Sequence, residues 1–176
     1  MTSTVFIIPG LGNSGEGHWQ TLWEKQFNFT RIQQRDWETP RRTDWIDAMD
    51  KAIAPHDPAK VILVGHSLAC AAIAFWSEQY KRKIKGALLV APSDTEADTY
   101  PPGTSGFTPV PLAPLSFPSI VVASTNDYYV RFGRAQQFAK AWGSKLVDIG
   151  DAGHINVAAG FGAWEQGLGF LKELDR

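Results

Sequence analysis

The sequence predicts a three-layer α/β fold, a parallel sheet of about six strands covered by helices on both faces. Short apolar runs recur along the chain, as in Val5-Phe6-Ile7-Ile8 and Val61-Ile62-Leu63-Val64. Such unbroken runs read as strands buried on both sides rather than on one. Between them lie stretches with apolar residues at helical spacing. Strands that alternate with helices call for right-handed crossovers and a parallel sheet. At 176 residues, a single domain over 1–176 is the expectation.

Val5–Ile8 is the first strand, ended by Pro9-Gly10. Trp19, Leu22, Trp23 and Phe27 then mark one helix face. Thr30–Arg35 is a weaker second strand, suited to a sheet edge. Thr43 or Asp44 could cap a helix that runs to about Ala54, with Trp45, Met49, Ala52 and Ile53 on one face and Pro55 and Pro58 beyond it. Val61–Val64 is the clearest strand, and Ser67–Tyr80 the next helix. Ala87–Val90 and Ile120–Ala123 are further strands. Val130–Trp142 is helical, Lys145–Ile149 a sixth strand, and Ala163–Leu174 the last helix. A long proline-rich loop, residues 93–117, is either a surface excursion or a flap over a site.

Composition removes several function classes. Seventeen basic and eighteen acidic residues leave a net charge of −1, without the basic surplus that nucleic-acid or anionic-membrane partners require. The one cysteine, Cys70, has no intramolecular partner, which points to a reducing compartment and a cytoplasmic protein. The apolar run near the N-terminus is too short for a signal peptide or a membrane span.

Ligands of doubly wound sheets bind at the carboxyl ends of the strands. Two motifs fall there. Gly10-Leu11-Gly12-Asn13-Ser14-Gly15 follows the first strand, and Asp36 lies twenty-one residues after Gly15, which approximates a dinucleotide fingerprint through Gly10, Gly12 and Gly15. The context fits poorly, because Glu16-Gly17-His18 separates the third glycine from the helix that should carry the pyrophosphate. A flexible tight turn is a second reading. A third is a loop whose backbone approaches a reaction centre.

The other motif, Gly65-His66-Ser67-Leu68-Ala69, matches G-x-S-x-G with alanine in the last place. Small residues flank a serine held on a sharp strand-to-helix turn, with its hydroxyl above the sheet. The plainer alternative is that Ser67 only caps its helix. The rest of a triad is present in the order serine, acid, histidine. His154, in Gly150-Asp151-Ala152-Gly153-His154, follows the last strand and overhangs the same sheet edge. His66 lies inside the turn, its ring expected to face away from the reacting side of Ser67, and His56 lies in a proline-rich loop. The acid is Asp127 or Asp94, each just after a strand. Asp127 is favoured because the second strand after the nucleophile usually carries the acid in α/β-hydrolases, and Asp94 suits an Asx turn. Asp148 and Asp151 read as solvated turn residues. His154 would take the proton of Ser67 and Asp127 would orient the imidazole. The oxyanion would be held by the backbone N–H groups of Leu68 and Leu11, which accounts for the glycine loop without a nucleotide.

Together with Pro9-Gly10 to Asn13-Ser14, His18-Trp19, Asp36-Trp37-Glu38-Thr39-Pro40, Ala91-Pro92-Ser93-Asp94, Ser124 to Val130 and Gly153-His154-Ile155-Asn156, these motifs run nearly end to end. In them the chain resembles the small α/β-hydrolases grouped with retinoblastoma-binding protein 9 and the YdeN-type serine hydrolases. The resemblance implies an α/β-hydrolase fold without a lid domain, serine-hydrolase activity, no cofactor and the triad Ser67, Asp127 and His154. Tyr128 stands where a proline is expected. The retinoblastoma-binding L-x-C-x-E sequence is not reproduced, since Leu68-Ala69-Cys70-Ala71-Ala72 lacks the glutamate, so that partner is not carried over.

The reading is therefore six parallel strands in the order 2-1-3-4-5-6, without a metal. The reaction is hydrolysis of a small ester, amide or thioester through an acyl-Ser67 intermediate. A non-catalytic interaction module on the same scaffold is the rival. Asn13, His18, Trp37 and Trp164 are candidates for the substrate pocket, while Trp19, Trp23, Trp45 and Trp76 are expected in the core. Cys70, one turn after Ser67, is expected to be a buried small apolar group.

Overall fold

The unbroken apolar run Val61–Val64 opens β3 (Val61–His66), and all residues of the strand are buried. A strand covered on both faces belongs inside a parallel sheet. In the computed structural model, which describes residues 2–176, β3 pairs with β1 (Thr4–Ile8) on one side and β4 (Gly86–Val90) on the other. β2 (Thr30–Arg31) lies outside β1, while β5 (Ser119–Ala123) and β6 (Lys145–Asp148) lie beyond β4. The order is β2-β1-β3-β4-β5-β6 and every pairing is parallel.

Strand alternation divides the core. Leu63 and Leu89 face α2 (Arg42–Ile53), α3 (Leu68–Tyr80) and α4 (Phe132–Trp142), with Trp45, Ile73, Trp76 and Phe138 in the same cluster. Ile62, Val64 and Leu88 face α1 (Trp19–Phe27) and α5 (Glu165–Leu174), with Trp19, Trp23 and Leu171. The register sets His66 beside Val90 and Gly65 beside Ile8. The ends of β1, β3 and β4 thus share one edge.

Two local expectations are corrected. β2 stops at Arg31 rather than Arg35, because the Ile32 N–H makes the last bond to β1, to the Ile7 carbonyl, and Gln34 then turns inward, where its Nε2 donates to the Trp45 carbonyl. Neither Thr43 nor Asp44 caps α2. The helix starts at Arg42 after Arg41, which supplies no side-chain cap, and the Arg42 amide is satisfied by the Ser105 carbonyl. A tertiary partner from the long loop thus replaces the local one. That loop is anchored by buried Phe107, Val110 and Phe117, and Thr95 Oγ1 donates to the Phe107 carbonyl at 2.7 Å. Only its Ser93, Tyr100 and Pro101 reach the cavity described below. No described helix is long and apolar enough to cross a membrane.

Candidate active site

β3 ends at His66, and Ser67 turns the chain into α3 with φ 60° and ψ −123°. A non-glycine residue there stores about 1–3 kcal/mol of backbone strain. Small neighbours make the turn possible. A Cβ on Gly65 would lie 2.7 Å from Ile73 Cδ1 and 3.5 Å from Ala69 Cβ, so alanine fits the place where the motif usually has glycine. Ser67 makes no side-chain cap to its helix. Its hydroxyl faces outward, where Oγ lies 2.9 Å from Nε2 of His154 and 2.7 Å from Oγ of Ser93.

His154 stands on the loop after β6. Its Nδ1 lies 2.9 and 2.8 Å from the two carboxylate oxygens of Asp127, and the Asp127 side chain is wholly buried. With Nδ1–H donating to the carboxylate, Nε2 is left as the acceptor for the Ser67 proton. The two loops are tied to each other. Thr125 N–H donates to the Gly150 carbonyl, Ala152 N–H to Ser124 Oγ, and Gly153 N–H to Asn126 Oδ1. The Tyr129 ring packs 4.6 Å, centroid to centroid, from that of His154. Asp94 takes no part in this line. Its carboxylate accepts from the Glu96 N–H, the expected Asx turn, and pairs with Arg134.

Gly10 touches the same turn. A Cβ there would stand 2.7 Å from Ser67 Cβ, 2.9 Å from the His66 carbonyl oxygen and 3.3 Å from the Leu68 nitrogen. The first glycine is thus required by the close approach of the β1 loop to the start of α3, which sets Leu11 against the cavity. Arg31 fastens the rest of the loop. Its guanidinium donates to Asn13 Oδ1, the Ser14 carbonyl and Thr21 Oγ1, and pairs with Glu24. Trp37 contributes its carbonyl, which accepts from Gly12 N–H at 2.8 Å.

The nucleotide fingerprint is not realised in this arrangement. His18 caps α1, its Nδ1 accepting from the Gln20 N–H at 3.2 Å, so the helix start is already occupied. Asp36, the supposed ribose ligand, accepts from Glu38 N–H, Thr39 N–H and Thr39 Oγ1.

A cavity of about 180 Å³ opens above Ser67, with Leu11, Asn13, His18, Tyr100, Tyr129 and Asn156 in its wall. Asn13 and His18, two of the pocket candidates, line this cavity. Trp37 and Trp164 do not line it. Trp37 packs edge-on against Trp45, and Trp164 stacks on Trp23 at 5.9 Å inside the α1–α5 layer. Ser93, Tyr100, Tyr129 and Asn156 were not among the pocket candidates, because only the folded loops bring them to Ser67.

His66 differs from expectation. It shares the β3 face of Ile62 and Val64, and its Nε2–H donates to the His154 carbonyl at 2.9 Å, with the two rings 4.9 Å apart. It lines the cavity and braces the histidine loop. Strand parity, counted two residues on from Val64, would have found it. Burial holds its imidazole well below the ordinary histidine range, and the nearby His154 and His18 add to the effect. Burial also lowers His18, to about 4, helped by the Arg31 guanidinium and by His154. Cys70 is buried, and desolvation pushes its thiol far above the usual range, which fits a packing role. Among the described residues, no cluster of His, Cys, Asp and Glu could hold a metal ion.

Comparison with known proteins identifies the family and the fold. The family described as "Serine hydrolase" matches residues 5–173. A YdeN-like hydrolase from Pectobacterium atrosepticum is 39% identical, with a TM-score of 0.86 over 99% of this chain and 91% of that one. The ydeN gene product from B. subtilis superposes with the same TM-score of 0.86 at 23% identity, over 98% of each chain. Est1E from Butyrivibrio proteoclasticus shares the fold, with a TM-score of 0.70 at 13% identity over 98% of this chain and 88% of that one. No curated protein sequence matches the chain.

Proposed function

The chain belongs to the serine hydrolase family, and from that premise we propose that it cleaves a small ester, amide or thioester through an acyl-Ser67 intermediate. The observation that supports this most is the hydrogen-bonded line from Asp127 through His154 to Ser67. As Ser67 Oγ attacks the carbonyl carbon, its proton passes to Nε2 of His154. Asp127 keeps the proton of Nδ1 on its own side and stabilises the imidazolium without taking that proton. The Ser93 hydroxyl donates to Ser67 Oγ in the resting state. The N–H of Leu68, at the positive end of α3, and that of Leu11 meet the oxyanion. Collapse of the tetrahedral intermediate breaks the bond to the leaving group, which takes the proton from His154. Water then repeats the cycle on the acyl-serine and releases the acid.

A fluorophosphonate probe tests the reading. It should label the folded protein at Ser67 and nowhere in Ser67→Ala, and labelling should fall steeply in His154→Ala. A folded wild-type protein that resists the probe would overturn the mechanism. A screen of aliphatic esters of increasing acyl length should show the highest activity on short chains, in keeping with a cavity of about 180 Å³.

A further inference from the structure

Apart from the triad and Ser93, the side chains that can bond a substrate in the cavity are His66, Asn13, His18, Asn156 and the tyrosines. His66 spends its one N–H on the His154 carbonyl. The Tyr100 hydroxyl is buried out of reach of solvent. Asn13, His18 and Asn156 share a property that neither sequence nor fold announces: the protein occupies the acceptor atom of each. Asn13 Oδ1 accepts from Arg31 Nη1 at 2.8 Å. His18 Nδ1 accepts from the Gln20 N–H at 3.2 Å. Asn156 Oδ1 accepts from the Ala159 N–H at 3.1 Å.

All three partners can only donate, so chemistry fixes both amide orientations and the histidine tautomer. What remains on each residue is an N–H: Nδ2 of Asn13, Nε2 of His18 and Nδ2 of Asn156. The low pKa of His18 keeps that ring neutral at ordinary pH. The cavity therefore presents these three neutral donors, beside Nδ1 of His66, left as an acceptor, and the Tyr129 hydroxyl. A pocket of donors left without acceptors rejects an apolar group and selects one that brings an oxygen.

We propose that the substrate carries a second oxygen acceptor, a carbonyl, ether or carboxylate oxygen, within a few bonds of the scissile carbonyl, and that Asn13, His18 and Asn156 bind it. The cavity sets the scale. At about 180 Å³ and partly open to solvent, it suits a small ester. The proposal rests on Ser67 being the nucleophile.

Matched esters test it on the intact protein. Ethyl levulinate and monoethyl succinate differ from ethyl pentanoate by an oxygen acceptor on the acyl side. 2-Methoxyethyl acetate differs from butyl acetate by one on the alcohol side. Each kcat/KM, followed by pH-stat, is divided by the ester's alkaline hydrolysis rate. At least one acceptor ester should exceed its apolar partner on the order of tenfold. Which one does so separates the acyl from the alcohol side, and a neutral oxygen from a carboxylate.

Asn13→Asp and Asn156→Asp keep the oxygen that Arg31 and Ala159 require and replace the free donor with an acceptor. Each should cut that preference several-fold while fluorophosphonate labelling of Ser67 persists. Ratios within twofold for every pair, or a preference that both variants leave unchanged, would overturn the inference while leaving the hydrolase reading intact. Loss of labelling in the wild type would remove both.

Discussion

Replacing Gly10 by alanine should disable the enzyme while leaving it folded, whereas the same change at Gly15 should do almost nothing. Ordinary contacts of a Cβ lie at 3.4 Å or more, yet at Gly10 it would stand 2.7 Å from Ser67 Cβ and 2.9 Å from the His66 carbonyl oxygen. Neither neighbour is the end of a flexible side chain, so the β1 loop must retreat by roughly half an ångström or more, taking the Leu11 N–H with it. A 1 Å misplacement costs about 10²-fold and the loss of one oxyanion donor about 10²–10³-fold. We expect kcat/KM on a short ester to fall about 10²-fold, with overpacking lowering stability by about 1–3 kcal/mol. At Gly15 nothing lies within 4 Å of the added Cβ, so Gly15→Ala should stay within about twofold of wild type. Ester kinetics and urea unfolding on both variants decide the matter. A Gly10→Ala protein with normal kcat/KM would refute the oxyanion role of the loop. Equal damage at Gly10 and Gly15 would revive the three-glycine pattern as a unit.

Asp127→Asn should lower kcat by about 10⁴-fold, while Asp94→Asn, which keeps an oxygen for its Asx turn and loses only its charge toward Arg134, should leave kcat within a few-fold in the same assay. His66→Phe deletes the N–H that holds the His154 carbonyl, so kcat should fall about tenfold or more with KM little changed, and His66→Gln should recover part of the loss. Because His18 titrates near 4 in the fold against 6.5 unfolded, the unfolded chain binds the extra proton between these values. Stability present above pH 6.5 is thus lost as pH falls toward 4, by about 2–3 kcal/mol in all. His18→Asn, which retains a capping oxygen, should flatten that part of a urea-midpoint profile. Gly167→Ala drives a Cβ into the Trp164 ring, and should lower Tm by several degrees with little effect on kcat.

How much of this was legible follows from the range over which each feature is determined. The apolar runs that become β1, β3, β4 and β5 are buried on both faces, so composition alone marks them and their alternation with helices sets the order. The Ser67 turn was legible because its strain must be met locally, by Gly65 and Ala69 within two residues. His154 and Asp127 were legible because in a parallel sheet every strand delivers its loop to one edge, so position after a strand stands in for position in space. Where the determinant is tertiary, the sequence is silent. α2 starts at Arg42 because Ser105, in a distant loop, accepts its amide. Ser93 reaches Ser67 because Ala91, at φ 48°, turns the chain after β4, and nothing in Ala91-Pro92 announces that. Trp37 and Trp164 were misplaced because an aromatic near the functional edge can serve the wall or the layer beneath it, and only packing decides. Gly167 allows the Trp164 ring to lie against α5, and once Trp164 is stacked on Trp23 it has no surface left for a substrate. The donors of Asn13, His18 and Asn156 belong to the same class. Their residue types were visible, but which atom of each stays unpaired depends on Arg31, Gln20 and Ala159. On this proposal, substrate selection is set from outside the cavity, by the Arg31 guanidinium and the backbone N–H groups of Gln20 and Ala159, through the lone pairs they occupy.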